Sequence, residues 1–126
     1  MRQVITSSEI TQPVGPYSHA VAASGEFVYL SGQTGQDPAT GQIVAGGVEA
    51  ETRQVLANLA QVLDATGLTF AAVVKCNVFL VDMADFTAMN TVFAAIIPGP
   101  FPARSTVAVA ALPLGARVEI ECVAVR

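Results

Sequence analysis

The sequence predicts an α+β domain with the element order β-β-β-α-β-α-β-β. Two segments, 48–66 and 83–97, repeat apolar residues at helical spacing, and six shorter runs rich in Val, Ala and Ile are bounded by turn formers. One of those runs, VVKCNVFLV (73–81), is apolar at both parities, which suits a central strand covered on both faces. Two helices can blanket one face of a single mixed sheet of five or six strands. The other face also carries Val, Ala and Ile, and exposing it costs ~25 cal/mol per Å² of apolar area. Sheet-to-sheet packing between subunits is the expected remedy.

The elements follow in order. Residues 3–7 are read as a short first strand. SHAVAAS (18–24) and FVYLSG (27–32) are strand-like, and Gly25-Glu26 between them signals a tight hairpin. QDPATGQIV (36–44) is a turn-rich excursion. The helix over 48–66 places Val48, Val55, Leu56, Leu59, Val62 and Leu63 on one stripe, and Gly67 stops it. After the strand at 73–81, Asp82 is the expected cap of the second helix and Pro98 its terminator. Strands at 104–111 and 117–125 close the chain as a hairpin.

The chain has 126 residues and is read as one domain, 1–126, without linker or repeat. Charged residues make up 13%, about half of the usual figure of about 25%. So few charges coat a monomer poorly, a second pointer to an oligomer. The net charge is −4 and no run of Lys and Arg occurs, so a phosphate-tracking surface is not expected and nucleic acid is excluded as a partner. No apolar run approaches the ~18 residues that span a bilayer, and MRQVITSSEITQPVG lacks the apolar core of a signal peptide. A cytoplasmic protein without membrane association is expected. Cys76 and Cys122 read as two buried structural thiols, and a single histidine without Cys-x-x-Cys supports no metal site.

The stretch PARSTVAVAALPLGARVEIE (102–121) sets two opposite charges, Arg104 and Glu119, in an apolar context. Arg104 follows Pro100 and Pro102, which fix the approaching backbone. Its ordinary role is a rim salt bridge; its other role is to grip a carboxylate through two parallel hydrogen bonds. Alternation puts Arg117, Glu119 and Glu121 on one face of the last strand. Glu119 is then either a solvated strand residue or, in a cleft, a general base. A regular hairpin centred on Leu114 sets Glu119 opposite Val109, on the side away from Arg104, so one hairpin does not unite the two charges and two adjacent subunits could. Asn90 shares an apolar stripe with Phe86, Phe93 and Ile97, and its amide must find partners. It is either a buried structural amide or a site residue. Tyr17, on the stiff PVGPY turn, and Ser31, before Gly32 at a strand end, read alone as ordinary turn and strand-end features. His19 is expected in a strand without catalytic work, and no Ser-His-carboxylate triad is expected. The Gly-x-x-Gly spacings lack the context of a nucleotide site.

The segments GPYSHAV, VYLSGQTGQDPATGQIV, ETRQVLANLAQVLDATG and VVKCNVFLVDMADFTAMN, and above all PARSTVAVAALPLGARVEIE, together resemble the RidA family, also called YjgF or L-PSP, across nearly the whole chain. The resemblance implies a chorismate-mutase-like fold and a homotrimer whose sheets face one another, with clefts between subunits. It implies cofactor-free hydrolysis of reactive 2-imino and enamine acids, such as 2-aminoacrylate, 2-iminopropanoate and 2-iminobutanoate, to 2-keto acids and ammonia. Arg104 would bind the substrate carboxylate, and Glu119 would position or activate water. Tyr17, Ser31 and Gly32 would shape the cleft and Asn90 would lie beside it. Thr106 stands where many members have Cys, which removes a thiol-based role. An endoribonuclease or translation-inhibitor activity is also attached to the family, though the acidic charge and missing basic patch argue against it here; further alternatives are a non-catalytic ligand-binding or chaperone-like trimer and a deaminase of larger enamines such as 2-aminomuconate.

Overall fold

A computed structural model describes all residues, 1–126. Its strands are β1 (Arg2–Ile5), β2 (Ala20–Ala23), β3 (Phe27–Thr34), β4 (Val73–Leu80), β5 (Ala103–Ala108) and β6 (Val118–Val125); its helices are α1 (Gly47–Ala65) and α2 (Phe86–Ile96). The α+β class and the order of elements are those read from the sequence. The sheet is not. Four strands form one mixed sheet in the order β3-β6-β4-β5, and β1 and β2 form a separate antiparallel ribbon. A single parallel bridge, Ser18 to Ala103, ties the ribbon to the outer edge of β5.

Both expected hairpins are absent, for physical reasons visible locally. Gly25-Glu26 does not fold β2 onto β3. Gly25 has φ 135°, and a Cβ there would lie 2.2 Å from the Arg126 carbonyl oxygen, so the turn wraps the C-terminus instead. The Arg126 amide donates to the Glu26 carbonyl at 2.8 Å, and β3 runs antiparallel to β6 from Phe27–Val125 onward. At the other end, β5 and β6 flank β4 on opposite sides: β4–β5 is parallel and β4–β6 antiparallel. The doubly apolar β4 takes the interior position, as its pattern requires, and thereby separates the two strands expected to pair. The connection between them is a short turn at Pro113–Gly115 with Leu114 at φ 59°.

The second helix also starts later than expected. Asp82 accepts a bond from the Ala84 amide, capping a single 3₁₀ turn (Met83–Asp85) that leads into α2. Ile97 ends α2 in extended conformation, as a residue before proline must. Both helices pack on one face of the sheet. Val55, Leu56, Leu59 and Leu63 from α1 and Met89, Val92 and Phe93 from α2 meet Cys76, Val78 and Leu80 of β4 and Val118, Ile120 and Cys122 of β6. Each large aliphatic buried there contributes about 1.5–3 kcal/mol. Alternation sends Lys75, Asn77 and Phe79 of β4 and Glu119, Glu121 and Val123 of β6 to the other face. That face is open in the single chain, with Tyr29 76% and Val107 47% exposed.

Candidate functional site

Arg104 is the second residue of β5 and lies directly across from Cys76 of β4. Cys76 belongs to the core row, so alternation aims Arg104 at the helices rather than at the open face. The guanidinium is buried, with 9% of the residue exposed. It donates from Nη2 to Asn90 Oδ1 at 2.7 Å, and its Nε and Nη1 have no partner although both are buried. Three aromatic rings surround it: Phe93 at 4.9 Å, Tyr17 at 5.6 Å and Phe86 at 5.9 Å from ring centroid to Cζ. The rings return part of the lost hydration through their quadrupoles. Burial still pushes the Arg104 pKa below its ordinary value, with Cys76 and Tyr17 opposing the shift. No carboxylate pairs with Arg104; the three ion pairs of the chain are Arg53–Glu49, Arg117–Asp85 and Arg126–Glu26.

A pocket of about 230 Å³ opens onto this guanidinium, lined by Val14, Tyr17, Phe86, Arg104 and Thr106. Thr106 is two residues beyond Arg104 on the same face, and its hydroxyl is buried without a partner. Gly15 lets the loop above close tightly: a Cβ there would stand 3.1 Å from Asn90 Nδ2 and 3.3 Å from Arg104 Nη2. The loop is anchored where the Ser18 amide donates to the Pro102 carbonyl at 3.0 Å and its hydroxyl to the Phe101 carbonyl. A larger concavity, about 440 Å³, lies between β3 and α1 and is lined by amides, among them Gln33, Gln36, Asn58 and Gln61. Asn58 and Gln36 are already satisfied there by backbone carbonyls. The smaller pocket is the one that borders the unpaired buried donors.

The structure gathers four of the expected residues, Arg104, Asn90, Tyr17 and Thr106. It sets the other three elsewhere. On β3 the pairing steps from Leu30–Cys122 to Gln33–Ile120, so Ser31 and Gly32 form a bulge with one extra residue. Gly32 lies against Glu119: a Cβ at Gly32 would be 2.8 Å from Glu119 Oε2. Glu119 is paired across from Phe79, at odd spacing from Cys76, and therefore points to the open face. Arg104 and Glu119 thus occupy opposite faces of one sheet. The sequence reading had that separation right but the hairpin behind it wrong, since β4 lies between the two strands.

Three residues of the site escaped the sequence reading. Phe86 and Phe93 flank Asn90 at i−4 and i+3, and the stripe was visible, but nothing in it distinguished a wall around a cation from packing. Gly15, inside PVGPY, carries no sequence signal that the loop must pass so close to Asn90. The two cysteines are free and buried, with sulfurs 3.2 Å apart, as the reading of structural thiols implied. His19 lies just before β2 rather than in a strand. Its Nδ1 accepts from the Ser7 amide at 3.2 Å and its Nε2 lies 3.0 Å from the Thr11 carbonyl.

Residues 6–126 match the model of the family described as Endoribonuclease L-PSP. The chain is 46% identical to the 2-iminobutanoate/2-iminopropanoate deaminase of Capra hircus, over 100% of this chain and 91% of that one. It is 44% identical to the human protein of the same name over the same shares. Among solved structures, RidA from an Antarctic Psychrobacter superposes with a TM-score of 0.78 at 42% identity, covering 98% of this chain and 99% of that one. A Rid-family protein of unknown function, YyfB from Yersinia pestis, reaches a TM-score of 0.89 at 35% identity, covering 99% and 98%. With the match running from residue 6 to the last residue, the chain belongs to the L-PSP family, also called RidA or YjgF.

Proposed function

We propose that this chain hydrolyses small 2-imino acids to 2-keto acids and ammonia, without a cofactor, in a cleft that two copies complete within a homotrimer. The carrying observation is the buried Arg104 guanidinium with two unpartnered N–H donors beside an open pocket. Orphaned buried donors cost about 1–3 kcal/mol each, more when charged. A ligand carboxylate is the matching acceptor, and a 2-imino acid carries one. The names of the relatives at 44–46% identity support the same substrate class.

The chemistry needs little from the protein beyond orientation and a base. Arg104 holds the carboxylate, with Asn90 fixing the guanidinium and Tyr17 and Thr106 bordering the bound molecule. Water adds to the electrophilic carbon of the protonated imine and gives up a proton to Glu119. The proton returns from Glu119 to the amine nitrogen, the carbinolamine expels ammonia as the carbonyl forms, and the hydroxyl proton passes to Glu119 and on to solvent. Positioning of this kind supplies several kcal/mol, roughly 7–11 at its upper limit, and a placed base contributes about 10²–10⁴-fold. Gly32, held against Glu119, and its neighbour Ser31 complete the water side of the cleft. Because Arg104 and Glu119 face opposite sides of one sheet, Glu119 comes from a neighbouring copy. The exposed apolar face around Tyr29 and Val107 is the surface that such packing covers. The number three rests on the family resemblance. No helix is long and apolar enough to cross a membrane; a cytoplasmic setting, and the absence of nucleic-acid or membrane partners, belong to the proposal.

The deciding experiment is ammonia release from 2-iminopropanoate generated in situ, with wild type and Arg104→Ala compared against buffer, and the mass in solution measured by light scattering. Acceleration by wild type alone, at trimer mass, is expected. Two rates equal to the uncatalysed one, or an active monomer, overturn the proposal. RNA cleavage by the same preparation, lost with Arg104→Ala, would move the activity to the ribonuclease reading.

A further inference from the structure

We infer that His19 is a positioning residue: in its neutral form it pins the strap of residues 7–17 onto Arg104. The inference rests on the proposed role of Arg104 and concerns what holds the roof of that pocket in place.

The chain leaves β1 at Ile5 and re-enters the ribbon at Ala20, the residue paired with Ile5. Everything between is a strap, and His19 stands at its base. The imidazole holds two points of it. Nδ1 is an acceptor, because the Ser7 backbone N–H donates to it at 3.2 Å; Nε2 therefore carries the proton and donates to the Thr11 carbonyl at 3.0 Å. Gln12 closes the near half by donating to the Ser7 carbonyl at 3.1 Å. Beyond Thr11, Pro13 and Pro16 limit the backbone, the Tyr17 amide donates to the Gly15 carbonyl at 2.9 Å, and the Val14 amide lies 3.4 Å from the Tyr17 hydroxyl. This stiffened far half carries Val14, Gly15 and Tyr17, which contact the pocket, Asn90 and the guanidinium. Fixing Thr11 fixes the angle at which Tyr17 meets Arg104.

An imidazolium has two donors and no acceptor. Protonation therefore deletes the Ser7 bond and sets a donor against a donor. Other charged or titratable groups around the strap are Glu9 within it, Tyr17 at its end and Arg104 on β5; Arg2, paired with Ala23, and the terminal ammonium, bonded to the Ser24 carbonyl, lie at the far end of the ribbon. β2 (AVAA) carries none. Arg2 is engaged with the Val73 and Pro100 carbonyls, and no ion pair involves His19. A glutamine at 19 reproduces the neutral ring, with a carbonyl for Ser7 and an amide for Thr11, and does not titrate.

The test compares wild type, His19→Gln, His19→Ala and Arg104→Ala. Pyruvate affinity is measured by calorimetry at pH 8, and amide exchange of Ser7, Tyr17 and the β4 strand by NMR. His19→Ala is expected to weaken pyruvate binding about 5- to 150-fold, the equivalent of two ordinary hydrogen bonds, and to speed exchange at Ser7 and Tyr17 while β4 stays protected. His19→Gln should bind within about threefold of wild type, since its carbonyl and amide replace the two ring nitrogens. Unchanged Tyr17 exchange in His19→Ala, or His19→Gln behaving like His19→Ala, overturns the inference. If wild type and Arg104→Ala bind pyruvate alike, the carboxylate reading of the pocket fails instead, and the exchange data alone decide the role of His19.

Discussion

Arg104→Met is the substitution for which the structure gives the sharpest expectation, because stability and activity should part company. The guanidinium is desolvated and leaves Nε and Nη1 unpaired, at about 1–3 kcal/mol for each orphaned donor. Three ring faces return about 0.5–2 kcal/mol each, and the charge-assisted bond to Asn90 about 1.5–3 kcal/mol. Costs and returns are of similar size, so in the unliganded chain Arg104 is near neutral. Methionine keeps the contacts with Phe86 and Phe93 but strands Asn90 Oδ1. We expect stability within about 2 kcal/mol of wild type for Arg104→Met, and a gain of about 1–4 kcal/mol when Asn90→Leu removes the stranded amide as well. Activity should fall together in both. Two charge-assisted bonds to a carboxylate, about 1.5–3 kcal/mol each, correspond to about 10²–10⁴-fold in kcat/KM. Denaturant unfolding at fixed protein concentration reads the first quantity and ammonia release from 2-iminopropanoate the second. A stability loss above about 4 kcal/mol would make the guanidinium an internal structural ion. Activity within about threefold of wild type would remove it from substrate binding. Either result refutes the reasoning.

Glu119→Gln should lower kcat by about 10²–10⁴-fold and leave calorimetric pyruvate affinity nearly unchanged, since the carboxylate anchor is elsewhere; a large loss of affinity instead would assign Glu119 to binding. Gly32→Ala introduces a Cβ 2.8 Å from Glu119 Oε2 at a bulge exposed enough to relax, so kcat should drop at least tenfold while stability falls by no more than about 1 kcal/mol; wild-type kcat would show that Glu119 can shift without consequence. The Cys122 thiol is held well above its ordinary value by the hydrogen bond to Cys76 and by burial. The folded chain therefore keeps a proton that the unfolded chain loses once pH passes the ordinary value of 9.0. Stability should decline above that pH by about 1.4 kcal/mol per unit, and Cys122→Val should flatten the decline; an identical slope in the variant would place the titrating group elsewhere.

Both helices, all six strands and the interior position of β4 follow from periodicity, because burial on one stripe or on two faces leaves a direct trace in residue order. Strand partners leave no such trace. Gly25-Glu26 has the composition of a hairpin turn and is used to turn around the C-terminus, a choice set by where β6 ends and not by anything within the dipeptide. The same limit applies to the site. The pairing of Arg104 with Asn90 joins two residues 14 apart through the β4–α2–β5 crossover. Each was visible as an anomaly, a charge in a strand and an amide in an apolar stripe, but two anomalies do not reveal that they answer one another. Site roles for Thr106, Ser31 and Gly32 came through family resemblance alone, since a hydroxyl or a glycine at a strand end carries no signal of its own, and the bulge that holds Ser31 and Gly32 was not foreseen.

The placement of the two charges in the last third of the chain bears directly on the proposed sharing of the site between copies. A strand alternates its side chains, and β4 fixes the registers of both its neighbours at once. Arg104 is held opposite Cys76 and Glu119 opposite Phe79, three residues apart on β4. An odd separation on the shared strand puts them on opposite faces whatever the turn between β5 and β6 does. Only a register slip of one strand would bring them to the same face, and that slip would also expose Val118, Ile120 and Cys122, which are 0–3% exposed here. Burial of those three side chains stabilises the register by about 1.5–3 kcal/mol each for the larger ones. The core thus forbids an intramolecular meeting of anchor and base. If both act on one small molecule, the base must arrive on the open face of another copy, and a variant that stays folded but does not associate should keep the Arg104 pocket while losing turnover. Mixing Arg104→Met chains with Glu119→Gln chains tests this directly: restored ammonia release in the mixture, from two inactive parents, is the expected result, and silence in a mixture proven to have exchanged subunits would sink the shared-site argument.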